Sequence, residues 1–200
     1  MMRVLIFTHG RSGGKSLLDW ISQEKRFYVY HEPYLKDEQI LRGVMNDDNI
    51  VVKTFPNYLS QYEIDTEEFF KSFDKVICHI RENRLDVAIS TARGFELNDK
   101  EDFNWHHTYK VDNTWILENE SKIDDVLDQF SPTYETIINL KVECLRTTYD
   151  GIFENKNDIS KLLDYLEIKK PIHLDRLDKK HRLRNGDIGH TGYTVNKSII

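Results

Sequence analysis

The chain has 200 residues and is acidic, with 34 Asp and Glu against 28 Lys and Arg and a formal net charge of −6. This balance argues against a surface built for non-specific nucleic-acid binding. No stretch approaches the roughly 20 apolar residues of a membrane span, and the apolar start of the chain is too short for a signal-peptide core. Cys78 and Cys144 lie in apolar strand-like runs, which favours reduced core thiols. We therefore predict a single cytoplasmic domain over residues 1–200.

Apolar strand patterns alternate with helical patterns along the chain, which is typical of an α/β domain with a parallel sheet. In the first half of the chain we predict strands at 4–8, 27–30, 50–53 and 76–80. Helices are predicted at 16–23, from a cap at Asp65 or Thr66 to 72, and after Arg81 to about 93. The second half is predicted to hold a loop at 98–107, a helix at 113–130, a helix opened by Ser131-Pro132, a strand at 144–149 and a helix after Asp158. Residues from 170 onward show no periodicity. This order predicts a P-loop-like three-layer fold, with a central parallel sheet flanked by helices.

The segment after the first predicted strand is the most informative part of the chain. It reads Gly10-Arg11-Ser12-Gly13-Gly14-Lys15-Ser16 and is called the glycine-rich loop below. Glycines let backbone N–H groups point into one concavity, and a helix start adds the positive end of its dipole. We therefore expect the backbone from Ser12 to Ser16 to hold a phosphate. The nucleoside-triphosphate loop would place its first glycine at His9, so this segment is a near miss to that motif.

Charged side chains follow three other predicted strands, at Glu32, Lys53 and Arg81. In open α/β sheets, ligands bind at the carboxyl ends of the strands. An ATP or GTP enzyme also needs an Asp at such a strand end to hold magnesium, and none of these strands ends in Asp. The pattern favours a phosphate-bearing ligand neutralised by side chains, and we predict no metal site.

Five segments, taken in their order along the chain, resemble the sulfotransferases that use 3′-phosphoadenosine 5′-phosphosulfate (PAPS). Residues 11–17 (RSGGKSL) are similar to the 5′-phosphosulfate loop of that family, and residues 31–34 (HEPY) resemble the Glu-Pro segment of its carbohydrate-type and bacterial members. Residues 52–56 (VKTFP) are similar to the Lys-Thr-His-x-Pro segment of the cytosolic members, with Phe55 in place of the histidine.

The other similar segments lie further along the chain. Arg81 with Ser90 resembles the family's 3′-phosphate motif, and residues 184–189 (RNGDIG) resemble its C-terminal Arg-Lys-Gly-x-x-Gly loop. Tyr149 stands where the family often has a Tyr-Glu-Asp-Leu strand end.

The resemblance implies an enzyme that moves a sulfuryl group from PAPS to an acceptor hydroxyl or amine without a metal, leaving adenosine 3′,5′-bisphosphate. It implies that Glu32 is the catalytic base and that Arg11 and Lys53 stabilise charge on the bridging oxygen. It also implies that the donor is bound by Arg11, Ser12, Gly13, Gly14, Lys15, Ser16, Arg81, Ser90, Tyr149, Arg184 and Gly186. The acceptor is expected to be a small molecule or a carbohydrate, of a kind that the residues leave open, as they do the oligomeric state.

Several of these residues also have a structural alternative. In that alternative Lys53 is a solvated strand-end lysine, Lys15 lies on the helix surface, Arg81 pairs with Asp86 or Glu82, and Ser90 bonds its own helical turn. His31 precedes Glu32 and on an extended backbone points the other way. Two rival functions stay open as well, a P-loop nucleotide or small-molecule kinase and a catalytically silent nucleotide-binding module.

Overall fold

A parallel β-sheet forms the centre of the computed structural model, which describes residues 2–24, 26–32, 48–61, 63–97 and 111–169. Its strands are β1 (Arg3–Thr8), β2 (Tyr28–His31), β3 (Ile50–Thr54), β4 (Lys75–Ile80) and β5 (Leu145–Thr148). Their order across the sheet is β2-β3-β1-β4-β5, and each pair of neighbours is parallel. The five predicted strands are confirmed, with ends that differ by no more than one residue.

Helices cover both faces of this sheet. They are α1 (Gly14–Ile21), α2 (Pro56–Gln61), α3 (Thr66–Lys71), α4 (Arg84–Leu97), α5 (Asn113–Glu118), α6 (Glu120–Ile138) and α7 (Ile159–Tyr165), and a π-helical turn, Asp150–Glu154, follows β5. The predicted three-layer α/β architecture with a central parallel sheet is therefore confirmed.

The central strand β1 is apolar on both sides because both of its faces are covered. Val4 and Ile6 pack into the core that α1 and α7 complete, whereas Leu5 and Phe7 pack into the core that contains α3. All four are fully buried. Burying such side chains contributes about 1.5–3 kcal/mol each, so the strand that leads into the glycine-rich loop is firmly fixed.

Two helix-start predictions have opposite outcomes. Asp65 caps α3, because its side chain accepts a hydrogen bond from the Glu68 backbone N–H at 2.7 Å. The predicted helix start at Ser131-Pro132 is wrong, because α6 runs through both residues. The Ser131 hydroxyl donates to the Leu127 carbonyl at 2.9 Å instead of capping a new helix. A proline inside a helix costs about 3 kcal/mol, and the tertiary packing of α6 outweighs that cost.

The strand order reverses at β1, which has β3 on one side and β4 on the other. A reversal of this kind opens a crevice at the carboxyl ends of the strands, where ligands bind in α/β folds.

Cys78 and Cys144 are free thiols, as predicted. Within the described ranges, none of the helices combines the length and the apolar character needed to cross a bilayer. The predicted loop at 98–107 and the segment from 170 onward lie outside the described residues.

Candidate functional site

The glycine-rich loop turns sharply from β1 into α1. Arg11 and Gly13 both have left-handed backbone conformations, with φ of 58° and 84°. Gly13 is the N-cap of α1, and its carbonyl accepts the first helical bond from the Leu17 N–H at 3.0 Å. The loop therefore brings the start of a helix to the carboxyl edge of the sheet, as the sequence predicts.

Hydroxyl groups fix the inner side of the loop. The Thr8 hydroxyl donates to the His79 carbonyl at 2.6 Å, so the Ser12 hydroxyl is the donor in its 2.6 Å bond to Thr8 Oγ1. Ser12 Oγ in turn accepts the Gly14 N–H at 3.2 Å. The Gly14 N–H is therefore bonded within the loop, and its contact to a phosphate stays a prediction.

Both glycines at the start of α1 are required by close contacts. A Cβ on Gly13 would lie 2.8 Å from Tyr149 Cδ2 and 2.9 Å from Phe153 Cε2, and the positive φ there disfavours any other residue. A Cβ on Gly14 would lie 2.9 Å from Lys53 Cε. The loop is thus packed between an aromatic pair on one side and the Lys53 side chain on the other.

His79 holds the loop from β4. Its Nε2–H donates to the Ser12 carbonyl at 3.0 Å, and its Nδ1 accepts from the Thr147 hydroxyl at 2.9 Å. The ring is fully buried, and burial lowers the pKa of His79 to about 3. A neutral imidazole with both nitrogens bonded is a rigid support. In the sequence, His79 looked like one more residue of an apolar strand.

His9 makes a second link between the loop and β4. The Arg81 backbone N–H donates to His9 Nε2 at 3.1 Å, so Nδ1 carries the proton and donates to the Gly10 carbonyl at 2.8 Å. Burial lowers the pKa of His9 to about 4, which keeps the ring neutral. The sequence gives no role to His9, because nothing local reveals that the end of β4 lies beside it.

The buried Lys53 and the part-buried Glu32 form an ion pair at the ends of β3 and β2. Lys53 Nζ donates to Glu32 Oε1, and the ammonium also lies 4.0 Å from the centre of the Phe55 ring. Lys53 is 3% exposed, so it is not the solvated lysine of the alternative reading. Burial lowers the pKa of Lys53, and the Glu32 carboxylate opposes that shift.

The predicted direction of His31 is wrong. His31 Nε2 lies 3.4 Å from Glu32 Oε1, so the two neighbouring side chains meet. The reason is the backbone of Glu32, whose φ of 50° is left-handed and interrupts the alternation of an extended strand. The Glu32 N–H still donates to the Lys53 carbonyl, at 3.0 Å, which holds the turn against β3.

Arg11 and Ser90 meet across the site. Arg11 Nε donates to Ser90 Oγ at 2.8 Å, which links the glycine-rich loop to the middle of α4. The resemblance assigns Ser90, together with Arg81, to the 3′-phosphate. In the structure the Ser90 hydroxyl accepts a bond from Arg11 and so orients a cation of the loop, and its contact to a phosphate stays a prediction.

Arg81 is held at three points. Its guanidinium donates to Asp86 Oδ2 at 2.7 Å and lies 4.6 Å from the centre of the Tyr149 ring, and His9 holds its backbone. The ion pair with Asp86 is one of the alternatives left open by the sequence. Burial raises the pKa of the Tyr149 hydroxyl, so this ring acts as a neutral platform between Arg81 and Gly13.

Lys15 lies on the surface of α1, where Nζ is 3.3 Å from Asp19 Oδ2. This position agrees with the alternative that Lys15 is a surface residue of the helix. Ser16 lies in the same first turn of α1. Arg184 and Gly186, the predicted closing residues, lie outside the described residues.

The remaining predicted site residues converge on one edge. From β2 to β5 the strand ends carry Glu32, Lys53, the glycine-rich loop with Arg11, then Arg81 and Tyr149. No protein-family model matches this chain, and no curated protein is significantly similar to it. Function must therefore be argued from this arrangement of side chains and from the motifs in the sequence.

Proposed function

We propose that this protein is a sulfotransferase that moves a sulfuryl group from PAPS to an acceptor hydroxyl or amine. One observation carries the proposal, the series of neighbours from Gly14 through the buried Lys53 to the part-buried Glu32. It joins an anion-binding type of loop to a cation and then to a carboxylate. Sulfuryl transfer needs these three groups side by side, to hold the donor, stabilise the leaving group and remove the acceptor's proton.

The reaction is an in-line displacement at sulfur. The acceptor oxygen or nitrogen forms a bond to sulfur while the bond between sulfur and the bridging oxygen breaks. The bonding electron pair stays on that oxygen, which becomes a phosphate oxygen of adenosine 3′,5′-bisphosphate. The acceptor's proton passes to the Glu32 carboxylate. Negative charge grows on the bridging oxygen, and the ammonium of Lys53 and the guanidinium of Arg11 stabilise it.

In this scheme the ammonium of Lys53 can bond either to the Glu32 carboxylate or to the bridging oxygen of the donor. In the structure it donates to Glu32, so the carboxylate and the bridging oxygen of a bound donor compete for the same ammonium. A bound donor brings further negative charge to the loop beside Lys53 Cε. The ammonium then shifts toward the bridging oxygen, and Glu32 is released to accept the proton.

Arg81 serves the other end of the donor. A guanidinium offers a planar fork of donors that matches a phosphate, and here Asp86 and Tyr149 keep that fork oriented. Arg11 of the glycine-rich loop bonds to Ser90 of α4. The proposal includes Arg184 and Gly186 as further contacts to the 3′-phosphate.

The experiment is a thermal-shift titration of the full chain with adenosine 3′,5′-bisphosphate, compared with ATP plus magnesium. A ligand at about 100 times its dissociation constant stabilises the folded state by about 2.7 kcal/mol. We expect stabilisation by the bisphosphate without magnesium. Stabilisation by ATP and magnesium alone would indicate the kinase, and stabilisation by neither would end the proposal.

Transfer itself is measured with sulfur-labelled PAPS and a panel of sugars, phenols and amines. Label in an organic product identifies the enzyme and its acceptor class together. Binding of the bisphosphate without any transfer or PAPS turnover across the panel would favour the catalytically silent module.

A further inference from the structure

The His9 ring bonds both to the glycine-rich loop and to the end of β4 beside it. Its Nδ1–H donates to the Gly10 carbonyl at 2.8 Å, and its Nε2 accepts the Arg81 backbone N–H at 3.1 Å. The chain distance between His9 and Arg81 is 72 residues. This bond therefore fixes a relation that no local sequence feature sets.

The surroundings of the ring leave it little freedom. His9 is 3% exposed, and its ring centre lies 6.0 Å from that of Tyr134. Val87 of α4 and Leu127 of α6 line the same small hollow beside it. Rotating the ring by half a turn would place carbon atoms against the two polar backbone groups, and each unpaired buried group costs about 1–3 kcal/mol.

Two of the three groups that hold Arg81 also contact the glycine-rich loop. His9 fixes its backbone, and the Tyr149 ring that packs on Gly13 lies against its guanidinium. A shift of either support moves the guanidinium relative to the loop. Positioning errors of about 1 Å at a remote group can cost about a hundredfold in function.

We propose that His9 is a positioning residue that sets the distance between the glycine-rich loop and Arg81, and so gives the site its preference for a nucleotide phosphorylated at both the 3′ and 5′ positions. This inference rests on the proposed function. The loop alone serves the 5′ phosphate, which adenosine 5′-phosphate also carries. The 3′ phosphate is recognised only when Arg81 stands at the right place.

Two substitutions of His9 separate its two bonds. In His9→Asn the amide nitrogen lies near the place of Nδ1, so the donor to Gly10 is kept and the acceptor for Arg81 is lost. In His9→Gln the amide oxygen reaches the place of Nε2, so the acceptor for Arg81 is kept. Each variant loses one buried hydrogen bond, which makes the pair a matched control for general destabilisation.

The measurement is calorimetric titration of wild type and both variants with adenosine 3′,5′-bisphosphate and with adenosine 5′-phosphate. In His9→Asn we expect the affinity ratio between the two nucleotides to fall about tenfold, which corresponds to about 1.4 kcal/mol. In His9→Gln the ratio stays within about twofold of wild type. A merely structural role would lower the melting temperature of both variants and leave both ratios unchanged.

The outcomes distinguish this inference from the proposed function. A wild type without preference for the bisphosphate contradicts the proposed function, and this inference with it. A wild-type preference that persists in His9→Asn overturns the role of His9 alone. If His9→Asn does not fold in buffer, the three proteins are titrated in trimethylamine N-oxide, which favours compact states of destabilised variants.

Discussion

Lys53 and Arg81 lie on opposite sides of the glycine-rich loop, and the structure treats these two cations differently. Lys53 has a carboxylate and a ring face as its partners, and burial lowers its pKa. Arg81 is bonded at its backbone, paired with Asp86 and stacked on Tyr149. A lysine is a point charge on a flexible stem, whereas an arginine is a fixed charge in a rigid fork. The surroundings of Lys53 are therefore suited to a cation that changes position, whereas those of Arg81 are suited to a cation kept in one position.

The carboxylates opposite these cations differ in the same sense. Glu32 has a left-handed backbone with φ of 50°, a conformation that costs of order 1–3 kcal/mol in a non-glycine residue. Asp86 lies in the first turn of α4, where a negative charge is favourable. Strain therefore accompanies the proposed base, whereas the carboxylate that orients Arg81 is in a relaxed position.

The largest effect is expected from Glu32→Gln, which tests the β3 side. The amide oxygen still accepts a hydrogen bond from Lys53, but the amide takes up no proton from the acceptor. We expect turnover of PAPS to fall about 10²- to 10⁴-fold, with binding of the bisphosphate retained. The control is Glu67→Gln, at an exposed glutamate of α3 that pairs with the exposed Lys71. Equal turnover in both variants would remove Glu32 from the mechanism.

The support beneath both sides is tested by His79→Leu. Leucine fills much of the ring volume but leaves the Ser12 carbonyl and the Thr147 hydroxyl without their partner. Each such buried group costs about 1–3 kcal/mol, so the free energy of unfolding measured in urea should fall by roughly 2–6 kcal/mol. Because the loop serves both nucleotides, their affinities should fall together. A selective loss for the bisphosphate would show that His79 acts on Arg81 instead.

Acid should weaken the two histidine links. An unfolded histidine takes up a proton near pH 6.5, whereas the folded pKa is about 4 for His9 and about 3 for His79. The unfolded state then binds more protons, so stability is present above pH 6.5 and is lost as the pH falls toward the folded pKa. Between pH 7 and pH 5 each histidine should remove about 2 kcal/mol from the free energy of unfolding. Urea titrations of wild type and His79→Leu should show a smaller loss in the variant, and parallel curves would contradict the assignment.

The smallest effect is expected from Arg81→Lys, which tests the β4 side. The charge is kept, but the planar fork and the stacking on Tyr149 are lost. Affinity for adenosine 3′,5′-bisphosphate should fall about tenfold, equivalent to about 1.4 kcal/mol, while that for adenosine 5′-phosphate stays close to wild type. An equal fall for both nucleotides would mean that Arg81 does not distinguish the 3′ phosphate.

Local patterns along the chain are enough to predict the fold class, the five strands and the strand ends at which charged residues stand. These features follow from local periodicity, since a buried parallel strand is a short apolar run and its polar continuation marks the sheet edge. The glycine-rich loop was recognisable for the same reason, because its glycines and the helix start after it are adjacent in the chain. The break between α5 and α6 was misplaced at Ser131-Pro132, because proline preference is a local rule that packing overrides here.

Which of the site residues contact one another follows from the tertiary fold. Glu32 meets Lys53 across 21 residues, Arg11 meets Ser90 across 79 and His9 meets the backbone of Arg81 across 72. Such contacts depend on strand order, which places the ends of β1, β3 and β4 side by side. A histidine reads the same in the sequence whether it is a surface residue or a buried link, because its role is set by the two groups that face its nitrogens in the folded chain.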